Sequence, residues 1–198
     1  MRILVVGPVE GGSLPVGRSI YAAFREIGQE AEFLDYSDFK DDFERAVKAR
    51  DHELSARFLL KCHNRLMGKV LDLRPDAILG IAQSPMVNPE ILIKLRKAGI
   101  ILCFWFVEDY RLFDHWKSYA RFFDHYFTIQ KDPIWEKMEE MGCRNFHYLP
   151  SAFDANFEAY DDVQLPDINV SFVGAPYPNR VHFFIQLKRS DFQIYGVN

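Results

Sequence analysis

The sequence predicts an α/β fold: a Rossmann-like parallel sheet with helices on both faces, followed by a terminal βαβ unit that opens a second domain. Three observations predict it. Short runs of β-branched residues alternate with segments of helical period, the pattern left by parallel strands joined through helical crossovers. The 198-residue length exceeds one average domain and falls short of two. Hydrophobic residues at 48% and charged residues at 26% supply one well-buried core and exclude a disordered chain.

Strands are expected at Arg2–Val6, Ala31–Leu34, Ala77–Ile81, Ile100–Val107, His125–Thr128 and Asn145–Tyr148. The first helix is read from Val16 to Ile27 and ends at Gly28, where glycine enters the left-handed region without a Cβ clash. From Phe43, the apolar positions Val47, Leu54, Phe58, Cys62, Leu66 and Val70 recur at helical multiples and mark one buried face, with a break near Asp51. Asn88 and Pro89 open the next helix, Pro89 standing where a missing N–H costs nothing, and Gly99 closes it. A further helix spans Pro133 to Met141 and stops at Gly142.

The periodic pattern fades after Pro150. Residues 1–150 are therefore read as the Rossmann-like domain and 151–166 as a linker crossing between domains. Residues 167–198 then start anew, with a strand at Asp167–Gly174, a helix at Asn179–Lys188 and a strand at Phe192–Tyr195. One βαβ unit cannot cover both faces of its own strands, so it is expected to lean on the first domain, on another copy or on missing residues, and to be a truncated second domain.

Composition narrows the function classes. A net charge of −4 without a basic patch speaks against nucleic acid and anionic membrane as partners. The odd set Cys62, Cys103 and Cys143 has no C-x-x-C spacing and predicts a reduced, cytoplasmic protein. Met1 leads straight into a strand, with no signal-peptide pattern, and no apolar run reaches the ~18 residues of a membrane span. Asn169-Val170-Ser171 matches a glycosylation acceptor formally and is read as chance in that setting.

In an open parallel sheet, ligands bind beyond the carboxyl ends of the strands, where loops diverge and helix N-termini offer free N–H groups. The unusual residues fall in those loops: Gly11, Gly12 and Ser13 after the first strand, Gln83 after the third, Glu108, Asp109 and Arg111 after the fourth, Gln130 after the fifth. Gly11-Gly12-Ser13 lets backbone approach a ligand closely, although it is neither G-x-G-x-x-G nor a P-loop; a flexible, capped connection reads equally well. Glu108 and Asp109 follow the most apolar strand, a low-dielectric edge that would raise their pKa values and suit a general base. The alternative has Asp109 capping a following helix while Glu108 pairs with Arg111. Trp105 reads as sheet core rather than a sugar-stacking platform.

In the second unit, Gly174 to Arg180 joins a strand to a helix. Its backbone donors and Arg180 would hold a diphosphate, unless it is only a proline-rich turn with a surface arginine. None of the six histidines has metal-site spacing, so no metal is expected. The chain also lacks an Asp-x-Asp triplet, which marks metal-chelating glycosyltransferases, and the G-x-S-x-G of α/β-hydrolases.

Several stretches resemble the CgeB-like, spore-maturation-type family of glycosyltransferases, which has a two-domain GT-B fold. They are Met1 to Gly7, Gly11 to Ser13, Trp105 to Arg111, Phe127 to Gln130, Tyr148 to Ala152 and Val170 to Arg180, the last being the most specific. The resemblance implies metal-independent transfer of a sugar from a nucleotide-sugar donor to an acceptor hydroxyl, with no further cofactor. It places the acceptor on residues 1–150, and Gly174, Tyr177, Asn179 and Arg180 on the nucleotide sugar. Asp109 or Glu108 would remove the acceptor proton, and this chain alone would have little activity. A fold analogy does not establish an activity. A non-catalytic ligand-binding or partner-recruiting module fits the same rim. A flavodoxin-like or response-regulator-like domain fits less well, because only Glu10 stands where such domains carry an acidic cluster.

Overall fold

The computed structural model describes residues 1–111, 113–152, 170–174, 176–187 and 192–196. The chain divides into two compact units, Met1–Asp154 and Ala155–Asn198. The expected linker, apart from Ser151 and Ala152, lies outside the described residues, as do the start of the strand expected from Asp167 and Lys188.

The first unit runs β1 (Arg2–Val6), α1 (Ser13–Glu26), β2 (Glu30–Leu34), α2 (Lys40–Ala49), α3 (His52–Leu73), β3 (Ala77–Ile81), α4 (Pro89–Lys97), β4 (Ile101–Phe106), β5 (His125–Thr128), α5 (Ile134–Glu140) and β6 (Phe146–Tyr148). Every strand pair is parallel, in the order β2-β1-β3-β4-β5-β6. This is the flavodoxin-type order of doubly wound folds rather than 3-2-1-4-5-6, and it puts the topological switch point between β1 and β3.

Crossover handedness decides which face each helix covers. The step from β1 to β2 runs one way along the sheet and every later step runs the other way, so right-handed crossovers send α1 to one face and the remaining helices to the opposite one. The packing agrees. Val16, Ile20, Tyr21 and Phe24 of α1 lie on Ile3, Val5, Ile81 and Trp105. Leu66 of α3, Leu92 of α4 and Met138 of α5 join Leu4, Val6, Ile78, Leu102 and Phe104 in the larger core. Burying one such aliphatic side chain fully stabilises the fold by roughly 1.5–3 kcal/mol. Trp105 is core, as expected: it is 7% exposed, and its Nε1 donates to the Leu149 carbonyl at 3.0 Å. Beyond α1, the same face carries an apolar groove of about 360 Å³ along Leu79, Cys103, Trp105 and Phe127.

The elements depart from expectation in instructive places. The first helix begins at Ser13, ahead of Pro15, because a proline in the first turn lacks only an N–H that would have no partner there. The long periodic stretch is two helices, broken where expected: the Asp51 carboxylate accepts from the N–H of Glu53 and Leu54 and caps α3. Asn88 caps α4 in the same way ahead of Pro89. Short 3₁₀ helices at Ser37–Phe39, His115–Ser118 and Ala120–Phe122 were not foreseen, since three or four residues carry no helical period. The second unit holds β7 (Val170–Gly174), α6 (Pro178–Gln186) and β8 (Phe192–Gly196), with β7 and β8 parallel. None of the α6 residues is buried, and Phe183 and Ile185 are exposed.

Candidate functional site

The loops after β1, β3 and β4 meet at the carboxyl edge of the sheet, beside the switch point. Gly11 has φ +97, a backbone state that side chains rarely adopt. A Cβ added there would also lie 3.1 Å from Oε1 of Gln83, so this glycine both makes the turn and admits the Gln83 side chain. Gln83 itself is held at φ +66, an uncommon conformation for a residue with a side chain. Its Nε2 donates to Oε1 of Glu108. Gly11, Gln83 and Glu108 therefore stand in one connected row on one edge. Gly12 precedes α1 without a side-chain cap, and Ser13 is buried in the first turn.

The two adjacent carboxylates have opposite environments. Glu108 is 9% exposed, its Oε2 has no hydrogen-bond partner, and Nε2 of His115 lies 3.7 Å from that oxygen. Burial pushes its pKa up, against the smaller lowering effects of the Gln83 hydrogen bond and the His115 charge. Asp109 is instead held down at about 2, chiefly by the Arg111 guanidinium, whose Nη2 and Nε donate to it at 2.6 and 2.9 Å. The Arg111 N–H also donates to Asp109 at 2.9 Å.

Two expectations are corrected here. Raised pKa values were expected for both carboxylates, and only Glu108 is raised, because only its charge is cut off from water. The alternative pairing of Glu108 with Arg111 is replaced by Asp109 with Arg111. Asp109 caps no helix either, since Asp114 occupies the N-cap position of the 3₁₀ helix that follows. Oε1 of Gln130 accepts from the Tyr110 N–H at 3.1 Å and so ties the loop after β5 to the outer pair.

Beside the inner group lies a pocket of about 270 Å³. Phe58 and Leu59 of α3 and Val9 form its apolar side; Gln83, Ser84, His115 and Ser118 form its polar side. Ser84 is 2% exposed and its Oγ has no partner, an arrangement that costs about 1–3 kcal/mol unless something else satisfies it. Nothing in the sequence marks His115 or Ser118 as site residues. The histidine has no motif spacing, and only the 3₁₀ turn after Asp114 brings it back to Glu108.

In the second unit, Gly174, Tyr177, Asn179 and Arg180 fall together at the carboxyl end of β7 and the start of α6. The Arg180 guanidinium lies 5.0 Å over the Tyr177 ring and 5.4 Å over Phe172. A Cβ on Gly174 would stand 2.9 Å from the Phe172 ring and 3.2 Å from Arg180. Among the described residues, no three His, Cys, Asp or Glu side chains are grouped as metal ligands, and no helix is long and apolar enough to cross a membrane. A comparison of the chain with protein-family models, curated proteins and solved structures found no match.

Proposed function

We propose that the first unit is the acceptor side of a sugar-nucleotide glycosyltransferase of the two-domain GT-B type. In this reading the β7–α6 turn contributes to the nucleotide-sugar side, and Glu108 rather than Asp109 is the carboxylate of the base. The observation that carries it is Glu108: a buried carboxyl with one unpartnered oxygen, at the carboxyl edge of a parallel sheet and beside a pocket. A base needs an affinity for protons near the working pH, and burial moves Glu108 in that direction while Arg111 moves Asp109 away from it. The motif resemblance supplies the reaction. The acceptor hydroxyl gives up its proton as its oxygen bonds to the anomeric carbon, and the bond from that carbon to the donor phosphate breaks, its electron pair leaving with the diphosphate. On the donor side, Arg180 and the N–H groups at the start of α6 are the groups suited to that charge.

The test is transfer from nucleotide sugars to hydroxyl acceptors by the protein and two variants. Glu108→Gln is expected to lose about 10²- to 10⁴-fold in kcat, the usual worth of a positioned base, and Asp109→Asn less than about tenfold. Equal losses, or a fully active Glu108→Gln, would remove Glu108 from the role. The flavodoxin-type strand order favours a second reading, a ligand-binding module that uses the same switch point without chemistry. Saturable binding with no turnover of any donor would select it.

A further inference from the structure

Two histidines far apart in the chain meet on the outermost strand pair of the sheet. His125 opens β5, and His147 lies in the middle of β6, which ends the six-stranded order. Across 22 positions of sequence, Nδ1 of His125 and Nε2 of His147 stand 3.1 Å apart. Their ring centroids are 5.3 Å apart and the planes are tilted by 36°. Register explains the meeting. Phe127 is the partner of His147, and His125, two residues back, shares the Phe127 face of β5, so the imidazoles reach each other along the diagonal. The Phe127 ring supports His147 at 5.2 Å. That face carries the apolar groove along Cys103 and Phe127, and His125 stands at the amino end of its strand. The pair is therefore set apart from Glu108 and the loops of the carboxyl edge.

The contact has the dimensions of two ligands on one metal ion. Imidazole nitrogens bind zinc at about 2.0–2.1 Å, so two of them 3.1 Å apart would subtend roughly 100° at the ion, between the octahedral and tetrahedral values. Two neutral imidazoles in contact need one nitrogen to carry a proton and the other to offer a lone pair. Moving that proton to the far nitrogen of its own ring aims both lone pairs into the gap and leaves the charge of each ring unchanged. Both rings rise from hydrogen-bonded strands, so little freedom is left to lose when an ion binds.

The composition of the pair selects the ion. Imidazole suits copper, nickel and zinc, whereas magnesium and calcium take oxygen ligands. Among the described residues no third His, Cys, Asp or Glu joins the pair, so the protein supplies two ligands. His147 is exposed, which leaves the remaining coordination positions open to water. Spacing along the chain could not reveal such a site, because its ligands come from two different strands.

We propose that His125 Nδ1 and His147 Nε2 form a two-imidazole site for a divalent transition-metal ion such as Zn²⁺, which clips the edge strand β6 to β5. The site is independent of the transfer reading, and neither needs the other to be right.

The test is a titration of Zn²⁺ alone into the 198-residue chain with ¹⁵N-labelled imidazoles. Long-range ¹H–¹⁵N correlation spectra report each ring nitrogen. His125 Nδ1 and His147 Nε2 are expected to move together and to saturate at a single Zn²⁺ per chain, before the remaining histidines respond. Mg²⁺ is expected to move neither. His147→Gln and His125→Gln should each weaken binding by at least about tenfold, since even the outer-shell partners of a metal are worth that much. His147 is exposed, and unchanged amide shifts away from β6 verify the fold of its variant. Zn²⁺ should raise the melting temperature of the wild-type chain and leave that of His147→Gln in place. Zinc that moves all the histidines in parallel, leaves these two nitrogens unmoved, or binds and stabilises His147→Gln as well as the wild-type chain would overturn the proposal.

Discussion

The Gln83 side chain donates to the Glu108 carboxylate across 25 positions of sequence, and this contact joins the loop after β3 to the loop after β4. Gln83 Oε1 faces Gly11 on its other side, so one amide spans the switch point from β1 to β4. The inner row is thereby held by side chains whose own backbone is constrained, which is what a preorganised site requires.

Glu108 should leave a signature in the pH dependence of stability. Its pKa is raised in the folded state, so folded protein holds the proton more tightly than unfolded protein does. The stability tied to that proton is complete below the ordinary glutamate value and is lost as pH rises through the folded value. Glu108→Gln, which keeps an oxygen for Gln83 and cannot ionise, is therefore expected to melt at a higher temperature than the wild-type chain at pH 8. The difference should vanish near pH 4. Calorimetry across that range is the measurement, and a gap independent of pH would contradict the buried-carboxyl account.

Asp109 should behave in the opposite sense. Its pKa is lowered to about 2, so the stability it contributes is present above the ordinary aspartate value and is lost only as pH falls through about 2. Arg111→Ala is expected to return the Asp109 carboxyl toward its ordinary value in a ¹³C titration. The cost in stability should be small, because the arginine side chain is 67% exposed and water screens the pair.

Gly11→Ala should damage both the turn and the site. The substitution forces a side chain into φ +97 and sets its Cβ 3.1 Å from Gln83 Oε1. A loss of about 1–3 kcal/mol in urea denaturation is expected from the backbone alone. Displacement of Gln83 should also perturb the amides of Glu108 and His115, which no local turn defect would reach.

Much of the fold is legible in the chain because its signals are local. The apolar run from Ile100 to Val107 contains the strand Ile101–Phe106, and Asn88 before Pro89 caps a helix, since each pattern carries its own physical reason. The loop positions Gly11, Gln83 and Glu108 were likewise readable, because in a parallel sheet the residue after a strand lies at the carboxyl edge. The helix start before Pro15 and the 3₁₀ turn at His115 were not, as each is stabilised by contacts too brief to leave a period.

The sequence by itself determined the parallel α/β architecture and the edge on which the polar loops would gather. That follows from periodicity, caps and chain direction, which are properties of neighbouring residues. Only the tertiary structure decided that Arg111 takes Asp109, that Glu108 is left buried with an unpartnered oxygen, and that His115 returns to it. Two adjacent carboxylates are equivalent along the chain. They become different when one is turned under the loops, away from water, and the other out toward a guanidinium.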